Sequence, residues 1–171
     1  MRLLTGCLLL LMMANTGFAE TRDPSQFFFN QSLGDFKSEL ETAKKESKKG
    51  ILIMFELDDC PFCHRMKQTV LNQSEVQDYY RSNFMVFAVD AVGANPMVDF
   101  KGKQTTEKNY ANENRVRATP VFVFFNLEGA PVMRFTGAAK DSNEFLQLGN
   151  YVAEGAYKSM SFTKYKKKGK Q

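Results

Sequence analysis

The stretch Ile51 to Leu57 (ILIMFEL) runs into Cys60-Pro61-Phe62-Cys63 with only Asp58 and Asp59 between. A nearly continuous apolar run of strand length suits a central β-strand covered on both faces. Two further runs share this character, Phe84 to Asp90 (FMVFAVD) and Thr119 to Asn126 (TPVFVFFN). Three such strands need an apolar layer on each side of one sheet, so the segments between them must supply helices to both faces.

The intervening sequence offers those helices. Asp35 to Lys49 reads as a helix, with Asp35 as cap, Phe36, Leu40 and Ala43 on one face, lysines crowding the end and Gly50 as its stop. Helix should resume at about Pro61, since proline is well tolerated in a first turn. Ser74 to Ser82 and Thr106 to Asn114 read as further short helices, separated by Phe84 to Asp90 and by an irregular loop over 91–105. After Thr119 to Asn126, the turn Leu127-Glu128-Gly129-Ala130 leads into Pro131 to Gly137, which alternates and predicts the antiparallel partner of a hairpin. Asp141 or Ser142 caps a last helix to about Lys158. The order predicts an α/β layered domain: a mixed central sheet of about four strands with helices on both faces.

The ends of the chain read differently from this body. Arg2, the apolar stretch Leu3 to Met13 and the small residues of Gly17-Phe18-Ala19 form a signal-peptide pattern, with cleavage expected before Glu20. Residues 1–19 are therefore expected to direct export and to be removed. Leu4-Thr5-Gly6-Cys7 looks like a bacterial lipobox, but most of the apolar stretch follows Cys7 instead of preceding it, so lipidation is the minor reading. Residues 20–34, with Phe27-Phe28-Phe29, form an arm expected to pack onto a domain spanning 35–158. Residues 159–171 carry Lys164, Lys166, Lys167, Lys168 and Lys170 and read as a flexible tail. The 23 basic residues include these five and Arg2, so the remaining body has slightly fewer cations than its 19 acidic groups. The basic balance thus belongs to the tail and does not mark a nucleic-acid face; the tail is either merely solvated or loosely attracted to an anionic membrane surface.

Without residues 1–19, Cys60 and Cys63 are the remaining cysteines and His64 is the sole histidine. Cysteine count excludes a four-cysteine zinc site, and a two-cysteine, one-histidine set within five residues is poor zinc geometry. Cys60 to His64 also spells C-x-x-C-H, the pattern of c-type haem attachment. Haem domains are usually helical, so three buried strands and a proline inside the motif oppose that reading. A redox pair fits better. At the junction of a buried strand and a helix, Cys60 would be exposed, and unpaired helix amides would favour its thiolate. Cys63, one turn on and less exposed, could attack a mixed disulfide on Cys60. Phe62 would form an uncharged lip.

Four features together resemble the thioredoxin-fold proteins: the strand over 51–57 into Cys60-Pro61-Phe62-Cys63 and a helix, Val116-Arg117-Ala118-Thr119-Pro120 before a strand, the hairpin around Glu128-Gly129, and Gly137 after the last strand. The resemblance covers roughly residues 35–158. It implies a thiol–disulfide oxidoreductase with Cys60 and Cys63 as the redox-active disulfide and no dissociable cofactor. It also implies that Pro120 is cis and faces the pair, with the Thr119 backbone beside the substrate chain; the alternative is an ordinary trans proline opening a strand. More narrowly, the signal peptide, the C-P-x-C pair and the long loop before Thr119-Pro120 are similar to the SoxW-like periplasmic thioredoxins. A periplasmic monomer is expected, acting on protein or small-molecule disulfides, with a membrane thiol transporter of the DsbD or CcdA type as electron donor.

Two departures from the family pattern bear on mechanism. Thioredoxins carry a buried aspartate six residues before the first cysteine; here Met54 stands there. Glu56, two residues along and on the same side of the strand, either substitutes for it or is a solvated strand-end glutamate. Strong oxidants of the DsbA class carry a histidine inside the pair, whereas here His64 lies just outside, four residues from Cys60. It is either a modulator of Cys60 or a solvated first-turn residue. Asp58 and Asp59 would raise the Cys60 thiolate pKa, which favours a reductant or isomerase-like role over an oxidant. A non-enzymatic binding module on the same fold is the rival from another class.

Overall fold

The computed structural model describes residues 20–169. Residues 1–19, expected to direct export, lie outside the described residues together with Cys7, as do Lys170 and Gln171. The chain order is α1 (Pro24–Phe27), α2 (Phe36–Lys45), β1 (Gly50–Glu56), α3 (Pro61–Thr69), α4 (Ser74–Asn83), β2 (Phe84–Asp90), β3 (Pro96–Val98), β4 (Gln104–Thr106), α5 (Glu107–Glu113), β5 (Val121–Phe125), β6 (Pro131–Thr136), α6 (Ser142–Ala153) and α7 (Phe162–Lys168), with a 3₁₀ turn at Ala156–Lys158. Four strands form one mixed sheet in the order β2-β1-β5-β6. β1 pairs parallel to β2, with Gly50 opposite Phe84, and antiparallel to β5, with Phe55 opposite Val121.

Alternation along these strands divides the apolar interior in two. Leu52, Met54, Phe84, Val86, Phe122 and Phe124 point to one face, where α3, α4 and α6 cover them. Ile51, Ile53, Phe55, Phe87, Val123 and Phe125 point to the other, covered by α2 and α5. This is why the three runs are apolar at successive positions and not at alternate ones. Tyr80 is fully buried in the first layer, stacked on Phe145 with ring centroids 4.5 Å apart, and its hydroxyl donates to the Phe145 carbonyl at 2.6 Å. Phe28 of the arm enters the same layer fully buried, 5.6 Å from the Tyr80 ring. The arm is held by Arg22, whose guanidinium donates to Gln77 Oε1 at 2.9 Å and to the Ser74 carbonyl at 2.9 Å.

The structure corrects several expectations. The helix expected over Asp35 to Lys49, α2, stops at Lys45, with Ser47 in the left-handed region at φ 56°, so Gly50 does not end it. Gly50 instead opens β1, where a Cβ would collide with the Phe125 carbonyl oxygen. The expected irregular loop contains a small hairpin, β3 against β4, tied to the arm by Val98 N–H donating to the Gly34 carbonyl at 2.7 Å. The last expected helix ends at Ala153, where Gly155 takes φ 69°, well suited to glycine after a helix end.

The largest correction concerns the lysine-rich end. The flexible tail expected over 159–171 holds α7, capped by the Ser161 side chain. Phe162 lies 5.4 Å from the Tyr151 ring and Tyr165 Oη donates to Glu154 at 2.9 Å. Lys166 Nζ reaches Glu144 Oε1 at 2.5 Å while lying 4.8 Å from the Phe162 ring. The bond from Lys166 holds the Glu144 carboxyl below its usual value of 4.5. A depressed carboxylate value means that this latch is complete above pH 4.5 and is lost as the pH falls through the lower folded value. Glu144→Gln should therefore weaken α7 docking at neutral pH, seen as faster tryptic cleavage in residues 162–168 and reduced amide protection there, with global stability lowered by about 1 kcal/mol or less. The parent protein should lose the same protection on acidification.

Candidate active site

β1 delivers the chain to the redox pair. Beyond Glu56 it turns through Leu57, Asp58 and Asp59, and Cys60 N–H donates to the Leu57 carbonyl at 3.3 Å. Cys60 takes an extended conformation, φ −86° and ψ 107°, and is the N-cap of α3. Its Sγ accepts the Cys63 N–H at 3.1 Å, and its carbonyl accepts the His64 N–H at 3.1 Å. Pro61, at the first helical position, has no amide to leave unpaired. Cys60 and Cys63 form a disulfide with Cα atoms 5.2 Å apart.

A sulfur that occupies the cap of a helix sits where amide dipoles converge, so its negative charge is favoured when the pair is reduced. Both cysteines are more enclosed than expected: Cys60 is 6% exposed and Cys63 1%. The expected ranking holds, but the exposed part of the motif is Phe62, at 57%. Met66 lies in the same buried cluster as both cysteines, and its Sδ accepts the Ala139 N–H at 3.2 Å.

Thr119–Pro120 is a cis peptide bond. Pro120 is buried and its carbonyl accepts the Gly137 N–H at 2.8 Å. Extending the β1–β5 register beyond Phe55 and Val121 brings Pro120 and Thr119 alongside Glu56 and Leu57, the residues that lead to Cys60. Among the described residues no hydrogen bond uses the Thr119 backbone, which leaves it open for pairing with an extended chain.

Glu56 is not a solvated strand-end glutamate. Its carboxylate accepts Lys67 Nζ through both oxygens, at 2.8 Å and 2.7 Å, with side chains 17% and 37% exposed. Lys67 lies one helical turn beyond Cys63 and stands 5.8 Å from the Phe29 ring. The ion pair opens onto a cavity of about 470 Å³ that Asn30, Phe87 and Met97 also line. Glu56 is thus carried on the face of β1 that also bears Met54, the face against α3. Lys67 went unnoticed in the sequence; its spacing of four from Cys63 was the available signal.

His64 turns toward the loop before Cys60, with Nε2 2.7 Å from the Asp58 carbonyl oxygen. With the proton on Nε2 the ring donates, tying the first turn of α3 to the approach loop. Asp58 and Asp59 are exposed. The arrangement therefore combines a sulfur at a helix cap, a buried partner sulfur one turn away, an ion-paired carboxylate at the end of the strand that leads to them and an open backbone edge beside that strand end. These are the parts that thiol–disulfide exchange requires.

Comparisons with known proteins bear on this geometry. A thioredoxin-like domain family model matches residues 36–153. Among solved structures, a thioredoxin-fold protein from Helicobacter pylori is 22% identical with a TM-score of 0.61, covering 69% of this chain and 80% of that one. A putative disulphide-isomerase from Bacteroides thetaiotaomicron is 24% identical with a TM-score of 0.57, covering 78% and 94%. The C-terminal domain of DsbD from Neisseria meningitidis, in its reduced form, is 19% identical with a TM-score of 0.51, covering 67% and 91%. No curated protein matches the chain. With the four-stranded mixed sheet and the Cys60–Cys63 disulfide at the end of β1, the chain has the thioredoxin fold and belongs to the thioredoxin-like domain family.

Proposed function

We propose that this protein is an exported, monomeric thiol–disulfide oxidoreductase of the SoxW-like kind that reduces disulfides in the periplasm. The observation that carries the reading is the Cys60 Sγ held as the cap of α3 by the Cys63 amide. In the reduced protein, the Cys60 thiolate attacks one sulfur of a substrate disulfide and expels the other as a thiolate, which takes up a proton. Cys63 then loses its proton and attacks Cys60 Sγ, releasing the second substrate thiol. The pair is left oxidised by two electrons and the substrate reduced by two. No dissociable cofactor takes part. Thr119 and Pro120 seat the substrate chain, and Phe62 supports it with an apolar surface.

Restoring the dithiol requires an electron donor, and for a periplasmic protein a membrane thiol transporter of the DsbD or CcdA type is the fitting class. Asp58 and Asp59 oppose charge at Cys60 while the α3 amides favour it. That balance supports a moderately reducing pair over a strong oxidant, because an extremely stabilised thiolate is what makes a pair oxidising. Glu56, ion-paired to Lys67 one helical turn beyond Cys63, is the group to receive the Cys63 proton. Asp59 from the approach loop and His64 from the first turn of α3 modulate Cys60.

Two experiments test this reading. Cys60→Ser should abolish insulin reduction, and the reduction potential of the parent should lie near the thioredoxin value of about −270 mV. A potential near about −120 mV would assign the disulfide-forming role instead, and unchanged insulin reduction by Cys60→Ser would leave a binding module. For the proton step, Glu56→Gln should slow turnover several-fold near neutral pH without altering the rate at which Cys60 is alkylated. An unaltered pH profile of turnover would remove Glu56 from the mechanism.

A further inference from the structure

The lysines of α7 divide into two sets. At 100° per residue, Phe162, Tyr165 and Lys166 share one side, and the packing contacts of the helix use these three. Lys164, Lys167 and Lys168 occupy the opposite side and are exposed. Among the described residues, no ion pair involves these three. The acidic groups near them are already engaged: Glu144 with Lys166, Glu154 with the Tyr165 hydroxyl, and Asp141 with Lys140 at 4.0 Å. No acidic residue follows Glu154 in the sequence.

This basic face sits at the redox end of the sheet. Gly137 bonds to Pro120, and the segment after it runs along α3, where Arg65 Nη2 donates to the Ala139 carbonyl at 3.4 Å. Lys140 follows at once, and with Lys166 and Lys167 it lines a shallow cavity of about 360 Å³. The arm residue Leu33, in contrast, lies by β2 at the other edge of the sheet and is fully exposed.

We propose that the outer face of α7 docks on an anionic lipid surface and turns the Cys60 end of the molecule toward the membrane. The chemistry of the face favours lipid headgroups over an acidic protein. Protein interfaces are depleted in lysine and anchored by aromatic or arginine side chains at their centre. Here both aromatic residues of α7 are turned inward, and the outer face holds lysines alone. Flexible ammonium groups with no apolar anchor match the diffuse attraction of an anionic headgroup layer, with nothing to insert among acyl chains. The body of the protein has a slight excess of acidic groups, so the same field that draws α7 to the surface pushes the body away and fixes an orientation. Lipid binding is independent of the redox role; only its use, bringing the dithiol to a membrane-held electron donor, rests on that role.

The test is partition of the purified protein, as cells process it, onto phosphatidylcholine vesicles with and without phosphatidylglycerol. Partition is expected onto the mixed vesicles only, falling as salt is raised. The triple variant Lys164→Gln, Lys167→Gln, Lys168→Gln should bind about a hundredfold more weakly, at roughly fivefold per lysine, while reducing insulin at the parental rate. Lys44→Gln with Lys45→Gln, on α2, should bind as the parent does. Since the chain has no tryptophan, Phe62→Trp and Leu33→Trp each give a single reporter, and a spin-labelled headgroup should quench the former more strongly. Absent partition by the parent, undiminished partition by the triple variant, or capture by polyglutamate without vesicle binding would overturn the lipid assignment; equal quenching of the two reporters would overturn the orientation.

Discussion

The contact between Cys60 Sγ and the Cys63 amide exists because two constraints meet at one residue. β1 is buried on both faces and must leave the sheet where its apolar run ends, and α3 begins at Pro61. Cys60, the residue immediately before Pro61, is therefore the cap, and its side chain accepts from the Cys63 amide. Replacing Ser, Thr, Asp or Asn at such a position with sulfur gives up some capping strength and gains a nucleophile set in the positive end of a helix. The flanking parts then follow from strand register. The pairing of β1 with β5 carries Thr119 and Pro120 to the approach of Cys60, and the pairing of β5 with β6 brings Gly137 onto Pro120.

Behind the pair, the usual aspartate position holds Met54, which closes the buried layer, and a carboxylate reappears two residues later as Glu56. The displacement changes its setting. Glu56 is at the strand end, reached by Lys67 and bordered by a cavity, so its charge is balanced by an ion pair and by solvent contact instead of being isolated in the core. The approach loop is tied from the other side by His64, whose ring meets the Asp58 carbonyl. The contact fixes the loop to the first turn of α3.

Much of this was legible from the residues. The three apolar runs mark the central strands because double-sided burial leaves no polar alternation, and Asp35 and Pro61 mark helix starts by their local chemistry. What escaped the sequence has a physical reason in each instance. Gly50 reads as a helix stop, but its requirement comes from the Phe125 carbonyl across the sheet, a contact without local trace. The β3–β4 hairpin is too short to show a period, and its support comes from the arm through Gly34. α7 hid behind its composition: four lysines in seven residues suggest solvation, whereas the Ser161 cap and the pair Phe162 and Tyr165 carry the helical signal. Lys67 carries no local signal of its pairing, which arises only where the fold places it against Glu56.

The central claim is that the cap position of Cys60 makes it the nucleophile. The most direct measurement is the alkylation rate of each thiol in the reduced protein as a function of pH. The account predicts that Cys60 reacts first and titrates below the ordinary thiol value of about 8.5, with Cys63 remaining slow throughout. Alkylation led by Cys63, or a Cys60 that titrates at or above about 8.5, would contradict it.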